Sequence, residues 1–221
     1  MTIAFIGYGN MALALAGKWA EQHDLIFSGR DPQKAAAAAQ QIGHGATASS
    51  QTDAVAAADV VVIATPHQAV VASIAHSGGP ANFAGKVVVD INNPVPGAYD
   101  GDFRVATYDG KSLAEALAAA APQARVVKAF NLCQANLWAA PAPITIDGRQ
   151  HVTPICGDDE PAKQTVGRLI EAVGSRPADM GGLEYAHHLE AMAALVIKLL
   201  FAGRDPMTCF QLIEPEIKPV A

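Results

Sequence analysis

The residues with the strongest chemical signature stand at the amino end, Gly7-Tyr8-Gly9-Asn10-Met11-Ala12. They form the pattern G-x-G-x-x-A, directly after the apolar run Ile3–Ile6 and directly before a helical pattern. Each position has a task in holding a pyrophosphate. Gly7 permits the tight turn, Gly9 lets the backbone approach the phosphates, and Ala12 lets the helix pack on the strand. Free N–H groups and the positive end of the helix dipole then face the anion. About 20 residues on, where an NAD site places a carboxylate against the ribose, the chain reads Ser28-Gly29-Arg30. A hydroxyl, a flexible backbone and a guanidinium suit a 2′-phosphate, and Lys34, one helical turn on, adds charge. The choice is therefore NADP(H) over NAD(H). Asp31 is the awkward neighbour, because a carboxylate turned to the ribose would relax that preference.

Ligands of open α/β sheets sit beyond the carboxyl ends of the strands. Three further polar clusters fall there: Thr65-Pro66-His67, Asn92-Asn93-Pro94, and Lys128-Ala129-Phe130-Asn131. They are expected to hold the nicotinamide and its reaction partner. His67 reads as a hydrogen-bond or proton donor, or, as the favoured alternative, a helix cap or ribose-side contact. Asn92 and Asn93 are either site residues or a turn before Pro94. Lys128 either contacts cofactor or an acidic substrate, or caps its strand at the surface. His67 and Asn131 are the candidates for contacts near the reacting rings. No Ser-His-Asp or Cys-His order stands out. His187-His188 looks like a metal pair, but adjacent helical residues point apart and no third ligand follows at useful spacing, so no metal is expected.

These groups must be positioned by alternating strands and helices. Strand patterns cover Thr2–Ile6, Leu25–Phe27, Val60–Ile63, Lys86–Ile91 and Arg125–Phe130; helical patterns fill Asn10–Gln22, the stretch opened by Asp31-Pro32, Gln68–Ala75, and the stretch opened by the capping box Ser112-x-x-Glu115 and stopped by Pro122. The run Val60–Ile63 suggests a strand buried on both faces, and the alternation predicts a parallel sheet with crossover helices. After about residue 132 the rhythm changes. Trp138–Pro143 reads as a connection, Thr153–Cys156 as a strand, Pro161–Val173 as a helix ended by Gly174, and Glu184–Ala202 as a longer one closed by Gly203. The last carries Tyr185, Leu189, Met192, Val196 and Leu199 as a stripe for the core or for a homodimer. The expected fold class is α/β: a Rossmann-type, doubly wound, mostly parallel sheet over residues 1–139, with a small α/β extension over 140–221 ending in that helix.

Half of the 221 residues are hydrophobic, charged residues make up 16%, and the net charge is −6. Such a chain buries a good core and lacks the basic stripe that nucleic acid requires. Cys133, Cys156 and Cys209 are odd in number and far apart, a poor disulfide framework that fits a reducing compartment. No apolar segment reaches the ~20 residues of a membrane span and no signal peptide is seen, so the expected place is the cytoplasm.

Together these residues resemble the NADP-dependent oxidoreductases that act on the deazaflavin coenzyme F420, and the NADPH-binding domain of the STEAP metalloreductases. The resemblance covers nearly the whole chain. The glycine loop with Ser28-Gly29-Arg30 carries its first part. Val127-Lys128-Ala129-Phe130-Asn131, Pro154-Ile155-Cys156-Gly157-Asp158-Asp159, Lys163, Leu169-Ile170, Gly174, Pro177, Asp179, Gly181 and Leu183 carry the more specific later part. It implies that Tyr8, Gly9, Asn10, Met11, Arg30, Lys34, Thr65 and Asn93 hold NADP, with a flavin-like ring stacked near the nicotinamide. Two positions depart from the family: Ser-Gly-Arg stands in place of Gly-Ser-Arg, and Asn131 in place of a histidine beside the deazaflavin. The Lys-Ala-Phe-Asn stretch is nearer to the metalloreductase domain. The expected activity is hydride transfer between NADP(H) and a small-molecule acceptor, a deazaflavin or flavin. An NADPH-dependent imine or carbonyl reductase and a non-catalytic NADPH sensor stand as alternatives.

Overall fold

The computed structural model describes residues 1–204 and 212–213; Cys209 lies outside them. Five parallel strands build the centre: β1 (Thr2–Ile6), β2 (Asp24–Ser28), β4 (Val60–Ile63), β5 (Val87–Asp90) and β6 (Arg125–Lys128), with β3 (Thr47–Ala48) at one edge. On the other edge β9 (Val152–Gly157) pairs antiparallel with β6, and β10 (Arg176–Asp179) runs parallel to β9. The spatial order is β10-β9-β6-β5-β4-β1-β2-β3. Chain direction reverses its advance between β1 and β4, the switch point at which such sheets open a ligand crevice. A separate hairpin, β7 (Thr145–Ile146) with β8 (Arg149–Gln150), precedes β9.

The helices follow from capping and composition. In α1 (Asn10–Trp19), Ala12, Leu15, Ala16 and Trp19 are buried, a stripe at helical spacing laid on the sheet. Pro32 starts α2 (Pro32–Ile42) at its first turn, and Ser50 caps α3 (Gln51–Ala57). The helix expected from Gln68 begins as a 3₁₀ turn, His67–Ala69, before α4 (Val70–His76). The capping box of α5 (Leu113–Ala120) forms as expected, Ser112 Oγ accepting from Glu115 N at 3.1 Å and Ser112 N donating to Glu115 Oε2 at 2.8 Å. Short α6 (Ala135–Ala139) packs on α1, with Lys18 Nζ donating to the Ala140 carbonyl. Asp159 caps α7 (Glu160–Ala172), and α8 (Ala186–Phe201) crosses the sheet on the far face. Trp19, Phe5 and Phe27 stack on one face and Phe83, Leu113 and Ile63 fill the other.

The sheet does not stop at the expected boundary near residue 139, since β9 hydrogen-bonds directly to β6. Lys128 explains how α8 is fixed to it. The lysine is neither a surface cap nor a cleft residue. It is fully buried, its ammonium 2.8 Å from Asp90 Oδ2 and 3.0 Å from Glu190 Oε1, and it donates to the Asn92 carbonyl at 2.6 Å. Glu190 comes from α8 and also accepts from Leu113 N and Ala114 N at the start of α5. Desolvation pushes the Glu190 carboxyl up and opposes the charge on Lys128. The two carboxylates reverse that opposition and hold the lysine above its ordinary value. Of the expected stripe, Leu189 and Val196 are buried, Met192 and Leu199 are half-buried and Tyr185 is exposed; outside it, Leu195 and Phe201 of α8 are exposed, Phe201 against Tyr99.

Removing the ammonium strands two buried carboxylates, so Lys128→Met is expected to lose about 3–5 kcal/mol of stability, whereas Glu190→Gln, which keeps its acceptor for α5, loses less. Urea unfolding of both variants checks this ordering; an unchanged midpoint for Lys128→Met contradicts it. Because Lys128 is raised in the fold, its stabilisation is complete below the ordinary lysine pKa and disappears as the pH climbs through the raised value.

Candidate functional site

The glycine loop is wedged between two strand tips. Gly7 N donates to the Ser28 carbonyl at 2.8 Å. Gly7 has φ +120°, and a Cβ there would lie 2.2 Å from the Ala64 carbonyl oxygen, so no other residue fits. Gly9 caps α1 with no side-chain acceptor, and no acidic residue stands in the first turn. A Cβ on Gly9 would meet nothing within 4 Å. The first amides of α1 thus face open space, the arrangement that binds phosphate. A cleft of about 490 Å³ starts here, lined among others by Gly7, Tyr8, Gly9, Arg30, Lys34 and Thr65. Thr65 Oγ1 is buried with no hydrogen-bond partner. A polar atom left unsatisfied in this way belongs with a ligand, and a dinucleotide fits both it and the amides.

At the tip of β2 the charges sort themselves. Asp31 does not face the ribose position. Its carboxylate accepts from Gln33 N at 3.0 Å and Lys34 N at 3.3 Å, spent on the start of α2. Arg30 and Lys34 are exposed and make no ion pair among the described residues. The part expected of Ser28 needs correction: its side chain is fully buried and its hydroxyl donates to the Phe5 carbonyl at 2.9 Å, which leaves nothing for a phosphate. Gly29 serves Tyr8, whose ring would lie 2.5 Å from a Cβ there. A second cleft of about 630 Å³ shares Gly29 and Arg30 and adds Ser49 and Ser50 from the β3–α3 loop, residues the sequence did not single out.

The later strand ends divide into supports and lining. Asn92 supports: its Nδ2 donates to the Ile63 carbonyl and to Asp90 Oδ1, both at 2.8 Å, and joins the tips of β4 and β5. Pro94 and Ala129 are buried and line none of the clefts described here. His67 is half-buried in its 3₁₀ turn and is likewise absent from these linings, although Pro66 beside it is present. Burial lowers the His67 pKa, which favours the neutral imidazole. Asn93 and Asn131 lock together across the sheet end. Asn93 Nδ2 donates to the Asn131 carbonyl at 2.7 Å, and Asn131 Nδ2 donates to Asn93 Oδ1 and to the Leu189 carbonyl, both at 3.0 Å. Phe130 makes this possible by adopting φ +61°, held between Trp19 and Trp138; such a backbone stores about 1–3 kcal/mol of strain. Asn131 Oδ1 is buried without a partner.

These residues border a cleft of about 540 Å³ with Asn10, Met11, Asn93, Asn131, Gln134 and Asn136 in its lining. No charged residue lines it, and five of its residues carry carboxamides. Cys133 lines it too, with Sγ 3.4 Å from His151 Nε2. His151 Nδ1 is 2.7 Å from Ser175 Oγ, which also lies 2.7 Å from Thr153 Oγ1 and 3.1 Å from the His151 carbonyl. A Cys-His contact therefore exists that no spacing in the sequence announces. Desolvation pushes the Cys133 thiol up to about 12, away from thiolate chemistry. The rings of His187 and His188 do not splay apart as adjacency suggested; their centroids are 3.9 Å from each other. Among the described residues no group of three His, Cys, Asp or Glu is placed to hold a metal, and no helix is long and apolar enough to cross a membrane.

Residues 2–94 match the family described as NADP oxidoreductase coenzyme F420-dependent. The rat protein Metalloreductase STEAP3 is 32% identical over 86% of this chain, and the chain spans only 36% of that protein's length. The F420-dependent NADP reductase of Methanothermobacter thermautotrophicus is 29% identical over 92% of this chain and 91% of its own. A solved structure from Arthrobacter sp. FB24, described as an F420-dependent NADP reductase, is 28% identical, covers 90% of this chain and 93% of its own, and superposes with a TM-score of 0.76.

The two glycines of the loop separate folding from binding. Gly7→Ala is expected to lower the melting temperature, because its Cβ meets backbone. Gly9→Val is expected to melt like the parent yet lose dinucleotide binding. Thermal unfolding and nucleotide titration of both variants check this, and full binding by Gly9→Val is the contrary result.

Proposed function

We propose that this chain, whose residues 2–94 match the coenzyme F420-dependent NADP oxidoreductase family, binds NADP(H) along the glycine-loop cleft and passes hydride between its nicotinamide and a flat flavin or deazaflavin ring. The observation that carries the reading is the charge pattern of the first cleft. The glycine loop that leads into α1 lines it, Arg30 and Lys34 project without carboxylate partners, and Asp31 beside Arg30 is turned onto α2. A diphosphate and a 2′-phosphate complement that pattern.

The acceptor side is supported by the carboxamide-lined cleft beside Asn10 and Met11. Neutral donors and acceptors suit a heterocycle edge that alternates C=O with N–H, and the unpartnered Asn131 Oδ1 asks for a donor. The names of the M. thermautotrophicus reductase and of STEAP3 agree with an electron-accepting partner. Bound NADPH supplies the hydride. The chain's own contribution is position: amides of α1 fix the phosphates, Asn93 and Asn131 fix the far end, and the aromatic packing of Phe130 keeps that end rigid. Orientation of two rings in contact is worth several kcal/mol without an acid or base. Accordingly His67, kept towards neutral by burial, is given no proton to move. Association into a homodimer through the exposed Leu195 and Phe201 of α8, and residence in the cytoplasm, complete the proposal.

Turnover tests it. The protein is mixed with NADPH and, in turn, flavins, a deazaflavin, ferric chelates, imines and ketones, while nicotinamide absorbance is followed. Oxidation with a ring acceptor is expected. Turnover only with imines or ketones assigns the reductase alternative, and tight binding with no turnover assigns the sensor. Arg30→Ala is expected to raise KM for NADPH about tenfold, a change of about 1.4 kcal/mol, and to leave KM for NADH nearly unchanged. Equal effects on both contradict the phosphate role.

A further inference from the structure

Two clefts meet beside Arg30, and they share Gly29, Arg30, Gln51 and His76. The glycine-loop cleft is walled by one face of α4 and its leading turn: Ala69, Ala72, Ser73 and His76, at i, i+3, i+4 and i+7. The two alanines leave width for a flat base. Ser73 Oγ is turned away to the Val70 carbonyl at 2.6 Å. His76 ends that face, exposed and without a hydrogen bond among the described residues. Gln51 opens α3; its Oε1 accepts from the buried Ser77 hydroxyl at 3.2 Å, which leaves its Nε2 to the junction.

The charge at this junction has one sign. Arg30 and Lys34 stand on the β2–α2 side and His76 on α4, and no carboxylate lines either cleft. The acids of the neighbouring elements are engaged elsewhere: Asp31 on the α2 amides and Asp53 on Ser50, with Ser50 Oγ 2.7 Å from its Oδ2. An anion placed at the junction would find a guanidinium, a carboxamide donor and an imidazole.

We infer that His76 is a further specificity-determining residue, which meets the 2′-phosphate of NADP(H) together with Arg30 and Gln51. The inference rests on the NADP(H) reading above.

The test is the dissociation constant of NADPH and of NADH, from nicotinamide fluorescence, for the parent, His76→Gln and His76→Lys at pH 6. Comparing parent and variant at one pH cancels the titration of the phosphate itself. His76→Gln is expected to weaken NADPH about three- to fivefold, the range of an exposed ion pair, and to leave NADH unaltered. His76→Lys is expected to hold NADPH. Equal weakening of the two nucleotides by His76→Gln, or unchanged NADPH affinity at pH 6, overturns the inference. If the parent itself binds both nucleotides alike, the NADP(H) reading falls and this inference with it. If the parent prefers NADPH and His76→Gln keeps the full preference, only the role of His76 falls.

Discussion

The geometry of the site depends on one contact between backbones, Gly7 against the carbonyl of Ala64. Any side chain at residue 7 would penetrate that carbonyl. Because none is there, the β1–α1 turn seats between the tips of β2 and β4, held by Gly7 N on the Ser28 carbonyl. The amino end of α1 then points into the crevice with its amides uncapped. Everything assigned to the cofactor follows from that seat: the open side of Gly9, the stacking of Tyr8 over Gly29, and the distance to Arg30 across the cleft.

A second constraint holds the other end of the crevice. The Lys128–Asp90–Glu190 cluster ties β6, β5 and α8 into one body. Asp90 in turn holds the amide and side chain of Asn92, and α8 offers the Leu189 carbonyl to Asn131. The carboxamides beside the ring position are thus set by charges buried behind them. A cluster of this kind stabilises less than an apolar core of equal size. Its value here is placement, since three elements must agree before Lys128 is satisfied.

The central sheet was legible because its strands are short β-branched runs, Val60–Ile63 above all, punctuated by glycine loops and capped helices such as the one begun by Ser112 and Glu115. The glycine loop was legible because its demands fall on backbone, which sequence states directly. The extra strands were not. Thr47–Ala48 and Arg176–Asp179 are too short and too polar to carry a period, and pairing alone makes them strands. Lys128 was misplaced for a related reason. Its partner Glu190 lies 62 residues away within an apolar helical stripe, and no local pattern marks a glutamate as a buried counter-ion. Ser28 looked like a phosphate ligand because its type and place fit, yet its direction was decided by the strand pleat, which turns it to Phe5. The Cys133–His151 contact and the β3–α3 loop became visible only when distant strand ends were brought together.

Arg30 and the glycine loop that leads into α1 line one cleft, and a phosphorylated dinucleotide would join them. The most direct test is a crystal structure of the protein grown with NADP⁺. The pyrophosphate is expected against the amides of Gly9 to Met11 and the 2′-phosphate within hydrogen-bond distance of the Arg30 guanidinium. A dinucleotide seated elsewhere, or one whose 2′-phosphate turns to solvent away from Arg30, would contradict this placement.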